Sequence, residues 1–300
     1  MTSASIAVCS LGVLVVAVVS PSAATAQVPL RVTWSPDAPV QGTLFQVQAV
    51  PLGAGIVAVT GSIADEPLHF VRSADGGFSA LAAAPLDVGS ALDVPLNIYR
   101  KDGVVEIMRV RVPISAGAYP LERLTVAPRF GAPPDSLTQI RLARDQALAA
   151  HVSRNTHVTP RLWQDVVLPR TTRITSRFGS GREFNGQIHS RHTGTDLAGT
   201  SGAPVLAAAR GVVALVDTFY LAGNVIYIDH GAGLVSAYFH LSAQEVAAGD
   251  TVTAGQPIGR VGATGRVTGP HLHWVVRYGG ISVDPMSLFD LLAPAGTRSP

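Results

Sequence analysis

The sequence has few of the side chains that most often carry covalent chemistry or charge. Cysteine occurs once, at Cys9, and lysine occurs once, at Lys101. Only 14% of the residues are charged, and the 22 basic side chains nearly balance the 20 acidic ones. One cysteine cannot form a disulfide within the chain, and a nearly neutral chain has no broad basic surface for nucleic acid. These shortages exclude a disulfide framework and metal sites built from cysteines, and they predict no nucleic-acid partner.

Charged side chains are also missing from the first 26 residues. Ile6 to Val19 form a mostly apolar run of 14 residues, and small residues ending in Ala24-Thr25-Ala26 follow it. This order is typical of a secretory signal peptide, and the run is shorter than the roughly 20 residues that span a bilayer. We predict a signal peptide over residues 1–26 and a secreted or periplasmic protein of the cell envelope. Cys9 lies too early for a lipoprotein signal, so we expect no lipid anchor.

Glycine and proline are abundant, with 30 and 21 residues. This composition favours short strands and turns over long helices. From about residue 28 to residue 126 apolar and polar side chains alternate, as in Leu44 to Val50. Leu96 to Val112 has the pattern of a hairpin around the turn residues Asp102-Gly103. We therefore predict a mainly β protein in which residues 27–127 form an immunoglobulin-like β-sandwich, an accessory domain.

A break rich in proline and glycine, at residues 128–134, ends this alternation. Asp135 and Ser136 can cap a helix that runs to about Ala150. Its apolar face is predicted to carry Leu137, Ile140, Ala147 and Leu148. The whole chain is then expected to divide into the signal peptide, the sandwich over 27–127, a linker with one helix over 128–170, a second β domain over 171–292 and a tail over 293–300.

Histidines are unevenly distributed, since six of the nine lie between residues 189 and 273. Buried imidazoles need partners, so a cluster of them beside a carboxylate indicates a metal. His192 and Asp196 are four residues apart, in a segment whose Thr-Gly-Thr centre disfavours a helix. His271 and His273 are alternate residues of a predicted strand, so they share a face and lie roughly 6–7 Å apart.

A third pair, Tyr238 and His240, has the same alternate spacing on another predicted strand, and we expect the two side chains to lie together. The remaining histidines are predicted to be structural or exposed. His230 closes a strand and is expected to be structural. His69 is expected to be packed or on the surface, and three more histidines are expected to lie on the surface: His151, His157 and His189.

The order of three motifs resembles a known family. His192-x3-Asp196 comes first, Tyr238-Phe-His240-Leu follows it, and Gly-Pro-His271-Leu-His273 comes last. This order is similar to that of the LytM/lysostaphin-type peptidases, the M23 family of zinc endopeptidases. The resemblance covers residues 171–290 and implies an antiparallel β-sheet peptidase domain of the lysostaphin type.

Carried over by position, the resemblance implies one zinc ion per chain, held by His192, Asp196 and His273. It implies that the catalytic pair consists of His240 and His271. Tyr238 is a further candidate, as a hydrogen-bond donor to substrate or oxyanion. Three protein ligands leave a fourth tetrahedral position for water, as a catalytic zinc requires. The implied activity is hydrolysis of peptide bonds in peptidoglycan, in cross-links or stem peptides, with the wall peptide as partner.

Two kinds of non-catalytic protein are alternatives to the enzyme. A biotinyl or lipoyl carrier has similar turns, but its cofactor is attached to a lysine and Lys101 lies in the other predicted domain, which excludes it. The alternative is a peptidoglycan-binding or hydrolase-activating protein of the same fold. Some relatives of that kind lose ligands, whereas this chain keeps all five residues, which favours the enzyme. The N-terminal domain is a candidate for contact with a regulatory protein.

Overall fold

Eight short strands form the N-terminal part of the molecule. The structure is a computed structural model that describes residues 30–131, 133–186 and 188–293. The predicted signal peptide and most of the predicted tail lie outside these residues. The eight strands are β1 (Leu30–Ser35), β2 (Leu44–Pro51), β3 (Ile56–Ile63), β4 (Glu66–Leu68), β5 (Val71–Arg72), β6 (Phe78–Ala83), β7 (Ala91–Arg100) and β8 (Val105–Pro113). They make two four-stranded antiparallel sheets, in the orders β1-β2-β6-β5 and β4-β3-β7-β8.

These two sheets enclose one apolar core, because alternate side chains of each strand point inward. In β2, Phe45, Val47 and Ala49 are buried, while the glutamines between them are not. β7 and β8 form the predicted hairpin, with Gly103 in the left-handed conformation at its turn (φ 85°). The immunoglobulin-like classification stays a prediction. The strand order favours it, since that fold places strands A, B, E and D in one sheet and C, F and G in the other.

A strand and two helices follow: β9 (Leu121–Leu124), α1 (Pro128–Gly131) and α2 (Ser136–Asn155). Asp135 caps α2 as the sequence predicted, since its Oδ1 accepts a hydrogen bond from the Thr138 backbone N–H at 2.8 Å. The helix continues beyond the predicted end near Ala150 to Asn155.

The predicted apolar face of α2 is exposed at its N-terminal end. Leu137 and Ile140 are 74% and 66% exposed. The later turns do pack, and Val152 and Leu148 contact an apolar cluster that contains Tyr227. A regular apolar spacing indicates a helix, but it does not show how much of that helix has a partner.

The described residues of the second domain form thirteen strands and one helix. They are β10 (Ile174–Ser176), β11 (Gly181–Phe184), β12 (Ile188–Arg191), β13 (Thr195–Ala198), β14 (Pro204–Leu206), β15 (Gly211–Phe219), β16 (Gly223–Gly231), β17 (Leu234–Leu241), β18 (Ala243–Gln244), β19 (Thr251–Val252), β20 (Pro257–Arg260), β21 (His271–Tyr278), β22 (Ile281–Val283) and α3 (Pro285–Leu292). The main sheet has the order β10-β13-β21-β17-β16-β15-β19, with β22 beside β21. The mainly β prediction is therefore confirmed.

The central strands β16, β17 and β21 are covered on both faces and are apolar along most of their length. Trp274, Tyr238 and Tyr278 are fully buried there. Asp284 caps α3 by accepting a hydrogen bond from the Met286 backbone N–H at 3.0 Å, and the apolar side of this helix covers the core. In the described part of the chain, no helix is long and apolar enough to cross a membrane.

The two domains are joined by direct hydrogen bonds. The Tyr278 hydroxyl donates to the Pro67 carbonyl oxygen at 2.6 Å, and the Leu44 backbone N–H donates to Ser287 Oγ at 2.9 Å. The connecting strand β9 also pairs in parallel with β11 of the second domain. As a result, the connecting segment forms part of the second domain's surface.

His157, which was predicted to lie on the surface, instead lies at this junction. Its side chain is 13% exposed, with Nε2 2.7 Å from Glu66 Oε2 and Nδ1 2.8 Å from His69 Nε2. The sequence around His157 is polar, which indicated exposure. Its partners are 88 and 91 residues earlier in the chain, so local sequence gave no signal of them.

Candidate metal centre

Three side chains meet at one edge of the main sheet. β13 and β21 are antiparallel neighbours, and their register places Asp196 opposite His273. His192 follows the last residue of β12, where its backbone N–H donates to the Ser180 carbonyl oxygen at 2.8 Å. Gly194 lies between His192 and Asp196 in the sequence. A Cβ at this position would lie 2.5 Å from the Trp274 carbonyl oxygen and 2.9 Å from the His273 ring. Glycine is therefore required for this close approach.

One atom from each of the three side chains points to a common position. His192 Nε2 lies 3.0 Å from Asp196 Oδ1 and 2.9 Å from His273 Nδ1, and His273 Nδ1 lies 2.7 Å from Asp196 Oδ1. All three residues are buried. Ligand bonds of roughly 2.0–2.1 Å at a tetrahedral angle separate two ligand atoms by about 3.3 Å, so a small widening of this triangle accommodates zinc. Two imidazoles and one carboxylate are also a donor set that zinc accepts.

The orientation of His192 is set by its other ring nitrogen. Nδ1 donates to the Arg177 carbonyl oxygen at 2.8 Å, which leaves the lone pair of Nε2 directed at the centre. Such a hydrogen bond on the outer nitrogen fixes the tautomer and the ring plane of a metal ligand. The neighbouring Ser176 Oγ is 3.1 Å from the same Nδ1.

Asp196 shares its two oxygens between the centre and an arginine. Oδ1 faces the two imidazoles, whereas Oδ2 accepts a hydrogen bond from Arg182 Nη2 at 2.5 Å. Burial by itself raises the pKa of Asp196, but the neighbouring His192 and His273 outweigh burial and hold that pKa well below its usual range. The carboxylate is therefore ionised and fixed in one orientation.

Arg182 is in turn held by Glu122 on β9. Arg182 Nε lies 3.2 Å from Glu122 Oε2, and Ser176 Oγ donates to both oxygens of Glu122 at 2.7 and 2.9 Å. Sequence reasoning missed Arg182 and Glu122, because neither lies near a ligand in sequence and the two are 60 residues apart. Only the parallel pairing of β9 with β11, which places Arg182 opposite Glu122, brings them together.

Two further histidines line the centre without joining the ligand triangle. The ring of His240 lies 5.0 Å from that of His271 and 5.8 Å from that of His273, measured between ring centroids. His240 Nδ1 donates to the Thr264 carbonyl oxygen at 2.8 Å, and His271 Nδ1 donates to the Gly269 carbonyl oxygen at 2.8 Å. In a neutral ring this hydrogen bond leaves Nε2 as the acceptor nitrogen, and Nε2 of His271 is 3.6 Å from Asp196 Oδ1.

Burial also acts on the charge of these imidazoles. It lowers the pKa of His240 well below its usual value, and the neighbouring His273 and His271 lower it further. Burial lowers the pKa of His273 to about 4, despite the opposing effect of Asp196. Both rings are accordingly neutral near pH 7, which metal binding and proton acceptance each require.

The prediction for Tyr238 was wrong. Its side chain is fully buried, and its hydroxyl accepts a hydrogen bond from the Ala208 backbone N–H at 2.7 Å and lies within hydrogen-bond distance of Ser236 Oγ at 2.9 Å. A β-bulge separates it from His240, since the register with β16 shifts between Tyr238 and Leu241 and His240 adopts a φ of 63°. Strict alternation would have placed Tyr238 and His240 on one face, and the extra residue turns His240 out to the centre.

The other two histidines of the domain differ from each other. His189 is exposed on β12. His230 is fully buried, with Nε2 2.7 Å from Ser236 Oγ and Nδ1 donating to the Arg210 carbonyl oxygen at 2.9 Å. Burial lowers the pKa of His230 to about 4. Neither side chain belongs to the candidate centre.

The centre opens into a cleft of about 970 Å³. One wall comes from the connecting segment, through Glu122 and Leu124, and another from the loop that carries Arg266. Asp196, His240 and His271 line its floor. This volume lies at the upper end of the roughly 300–1,000 Å³ that small-molecule sites commonly enclose.

Comparison with known proteins identifies the class of this domain. Residues 190–285 match the sequence model of Peptidase family M23. All three residues of the triangle and both neighbouring histidines lie within that stretch. The second domain is therefore a domain of the metallopeptidase family M23.

Two curated relatives match this domain. It is 40% identical over 118 residues to the peptidoglycan DD-endopeptidase ShyC of Vibrio cholerae, a match that covers 39% of this chain and 27% of the relative. It is 43% identical over 117 residues to the DD-carboxypeptidase/endopeptidase Mpg of Neisseria meningitidis, over 39% of this chain and 27% of the relative. The chain thus spans about a quarter of the length of these relatives.

A solved structure matches more of the chain. It comes from Pseudomonas aeruginosa, is described as a candidate peptidase M23, and is 26% identical with a TM-score of 0.64. The match covers 83% of this chain and 94% of the other. The likeness therefore extends beyond the peptidase domain into the N-terminal part.

Proposed function

We propose that this protein is a zinc metalloendopeptidase that hydrolyses peptide bonds in bacterial peptidoglycan, in cross-links or stem peptides. The observation that carries the proposal is the buried His192–Asp196–His273 triangle with two further histidines beside it, at the floor of an open cleft. The named activities of the matched relatives support the substrate.

Zinc at the triangle would lower the pKa of a bound water and polarise the peptide carbonyl. Asp196 and the two ligand imidazoles would leave the site with a charge of about +1, since only one ligand is an anion. Arg182 keeps Asp196 Oδ2 occupied, so that only Oδ1 is available to the metal.

His240 and His271 supply the proton transfers. Each ring donates from Nδ1 to a backbone carbonyl and keeps its Nε2 lone pair toward the centre, so each can accept a proton from the attacking water. A ring that has accepted that proton can stabilise the developing oxyanion and then protonate the leaving amine. The bond between carbonyl carbon and nitrogen breaks, and the products are a carboxylate and an amine.

We also propose that the protein works outside the cytoplasm, after removal of residues 1–26. The charge-free apolar start of the sequence supports this location. The N-terminal sandwich is proposed as an accessory domain, and β9 gives it a direct link to the cleft wall.

A combined measurement of metal content and cleavage tests the enzyme against the alternative of a wall-binding activator. The purified protein is expected to contain close to one zinc ion per chain and to release amines from purified peptidoglycan. Zinc binding without release of amines from about pH 6 to about pH 9 would favour the activator. Absence of zinc after loading would reject the metal site itself.

A further inference from the structure

The cleft carries an excess of positive charge. Five arginines line it, against the two carboxylates Glu122 and Asp196: Arg123, Arg170, Arg173, Arg182 and Arg266. Arg182 is already bound to both carboxylates. Positive charge concentrated in a cleft attracts anionic ligands and orients them.

Arg266 stands out among these arginines. Its guanidinium lies 3.9 Å from the centroid of the Phe184 ring, and it is only partly exposed. Among the described residues, none offers it a carboxylate within 4.0 Å, although Arg182 is near enough to repel it. Burial and that repulsion lower the pKa of Arg266 to about 10, the sign of a cation without a compensating charge.

Other arginines of the cleft have different surroundings. Arg170 donates to the carbonyl oxygens of Ala198 and Pro204, at 3.1 and 2.6 Å, and so supports the backbone. Arg123 lies 3.5 Å from Glu183 and its side chain is 76% exposed. Arg173 is exposed at the rim. Arg266 is therefore the cleft arginine that is both held in place and without an anion.

The backbone of Arg266 is fixed beside the catalytic histidines. Its N–H donates to the Leu221 carbonyl oxygen at 2.8 Å. The preceding Gly265 has a φ of 77°, and a Cβ there would lie 2.4 Å from that same oxygen. Thr264, one residue earlier, holds His240 through its carbonyl. The loop that orients His240 thus also aims Arg266, and both side chains line a second, smaller cavity with His192 and His273.

We propose that Arg266 binds a carboxylate that the substrate carries beside the scissile bond and thereby selects acidic wall peptides. The inference rests on the proposed function. In a cross-link between D-Ala and diaminopimelate, the residue whose amine is released bears a free carboxylate next to that amine. The planar guanidinium suits bidentate recognition of such a group, and stacking on Phe184 leaves its N–H edge free.

Binding of two matched peptides tests this proposal. Both contain the D-Ala to diaminopimelate bond, and they differ only in whether the carboxylate beside the released amine is free or amidated. Calorimetry on zinc-loaded protein with His271→Ala measures affinity without depending on turnover. We expect the free acid to bind about tenfold more tightly than the amide, as a charged hydrogen-bonded pair at a partly exposed site allows.

Arg266→Ala in the same background is expected to bind the two peptides equally, with affinity for the amide unchanged. Arg266→Lys should keep part of the preference, because charge remains while the planar fork is lost. The control Arg109→Ala, at an exposed position of β8, should keep the full preference.

Several results would overturn the proposal. One is a preference that survives Arg266→Ala, and another is an equal loss of affinity for both peptides, which would mean a structural role. Equal binding of both peptides before any change at Arg266 would also reject it. If the preference is present and depends on Arg266 but the unmodified protein cleaves neither peptide, the proposed function fails while carboxylate recognition stands.

Discussion

At the scale of single residues, the two kinds of histidine in the centre differ in their distance from Asp196. His192 Nε2 and His273 Nδ1 lie 3.0 and 2.7 Å from Asp196 Oδ1, whereas His271 Nε2 lies 3.6 Å from that oxygen and the His240 ring packs beside His271. The proposed assignment of ligands and proton acceptors rests on this difference. It also makes the two groups separable by mutation.

Asp196→Ala is expected to lose zinc, because it removes the anionic ligand. His240→Ala should keep close to one zinc ion per chain, but its activity should fall by about 100-fold or more, because it removes a proton acceptor. Metal analysis and a peptide-cleavage assay measure the two effects. Asp165→Ala and His189→Ala, both at exposed positions, are the matched controls and should resemble the unmodified protein. Equal loss of metal in Asp196→Ala and His240→Ala would contradict the division of roles.

The free energy of unfolding should depend on pH through the buried His230. Its pKa is about 4 in the folded protein, against the ordinary histidine pKa of 6.5 in the unfolded chain. Between these values the unfolded chain binds more protons, so the free energy of unfolding decreases as the pH falls from 6.5 to 4. This one residue should contribute a loss of about 3 kcal/mol over that window.

Urea unfolding at several pH values measures the effect in His230→Gln, which cannot take up that proton. The variant should lose less stability than the unmodified protein between pH 6.5 and pH 4. The exposed His189→Gln is the control and should follow the unmodified protein. If all three proteins show the same pH slope, the assigned pKa of His230 is wrong.

How far the sequence predicts the site depends on whether a residue obeys regular alternation. His271 and His273 do, and they share a face of β21 as predicted. His240 does not, because the bulge in β17 adds one residue, and the pairing with Tyr238 was predicted wrongly for that reason. Arg182 could not be found at all, since its role depends on Glu122 far away in the chain.

At the scale of elements, the centre depends on how closely the turn before β13 approaches β21. Gly194→Ala is expected to weaken zinc binding by about tenfold or more, because the added methyl overlaps the Trp274 carbonyl and the His273 ring. Competition with a chromogenic chelator measures the zinc affinity. Gly89→Ala is the control, since a Cβ there meets nothing within 4 Å. Unchanged affinity in Gly194→Ala would show that this approach does not position His273.

Elements were predicted well where the pattern is local. The β7–β8 hairpin, the cap of α2 and the strand character of β21 all follow from turn residues, a capping aspartate and alternation. The exposed first turns of α2 and the parallel β9–β11 pair depend on which elements become neighbours. A single sequence contains little information on such pairings, because a helix or strand of the same pattern can be packed or left uncovered.

At the scale of the whole molecule, direct hydrogen bonds couple the two domains. The Tyr278 hydroxyl, on the last residue of β21, donates to Pro67 of the N-terminal domain at 2.6 Å. Tyr278→Phe is expected to lower the free energy of unfolding by about 1 kcal/mol, since it removes this part-buried hydrogen bond. Tyr99→Phe, at an exposed position, is the control and should change it by less than about 0.5 kcal/mol. Equal values for both variants in urea unfolding would mean that the contact does not stabilise the junction.

The most direct test of the central claim is mass spectrometry of muropeptides after digestion of purified peptidoglycan. The zinc-loaded protein is expected to convert cross-linked muropeptides into products whose combined mass is greater by one water for each bond cut, with one new amine and one new carboxylate. Asp196→Ala should leave the same muropeptides intact. Unchanged muropeptides with a fully zinc-loaded, folded protein, or fragments cut only in the glycan chains, would contradict the account.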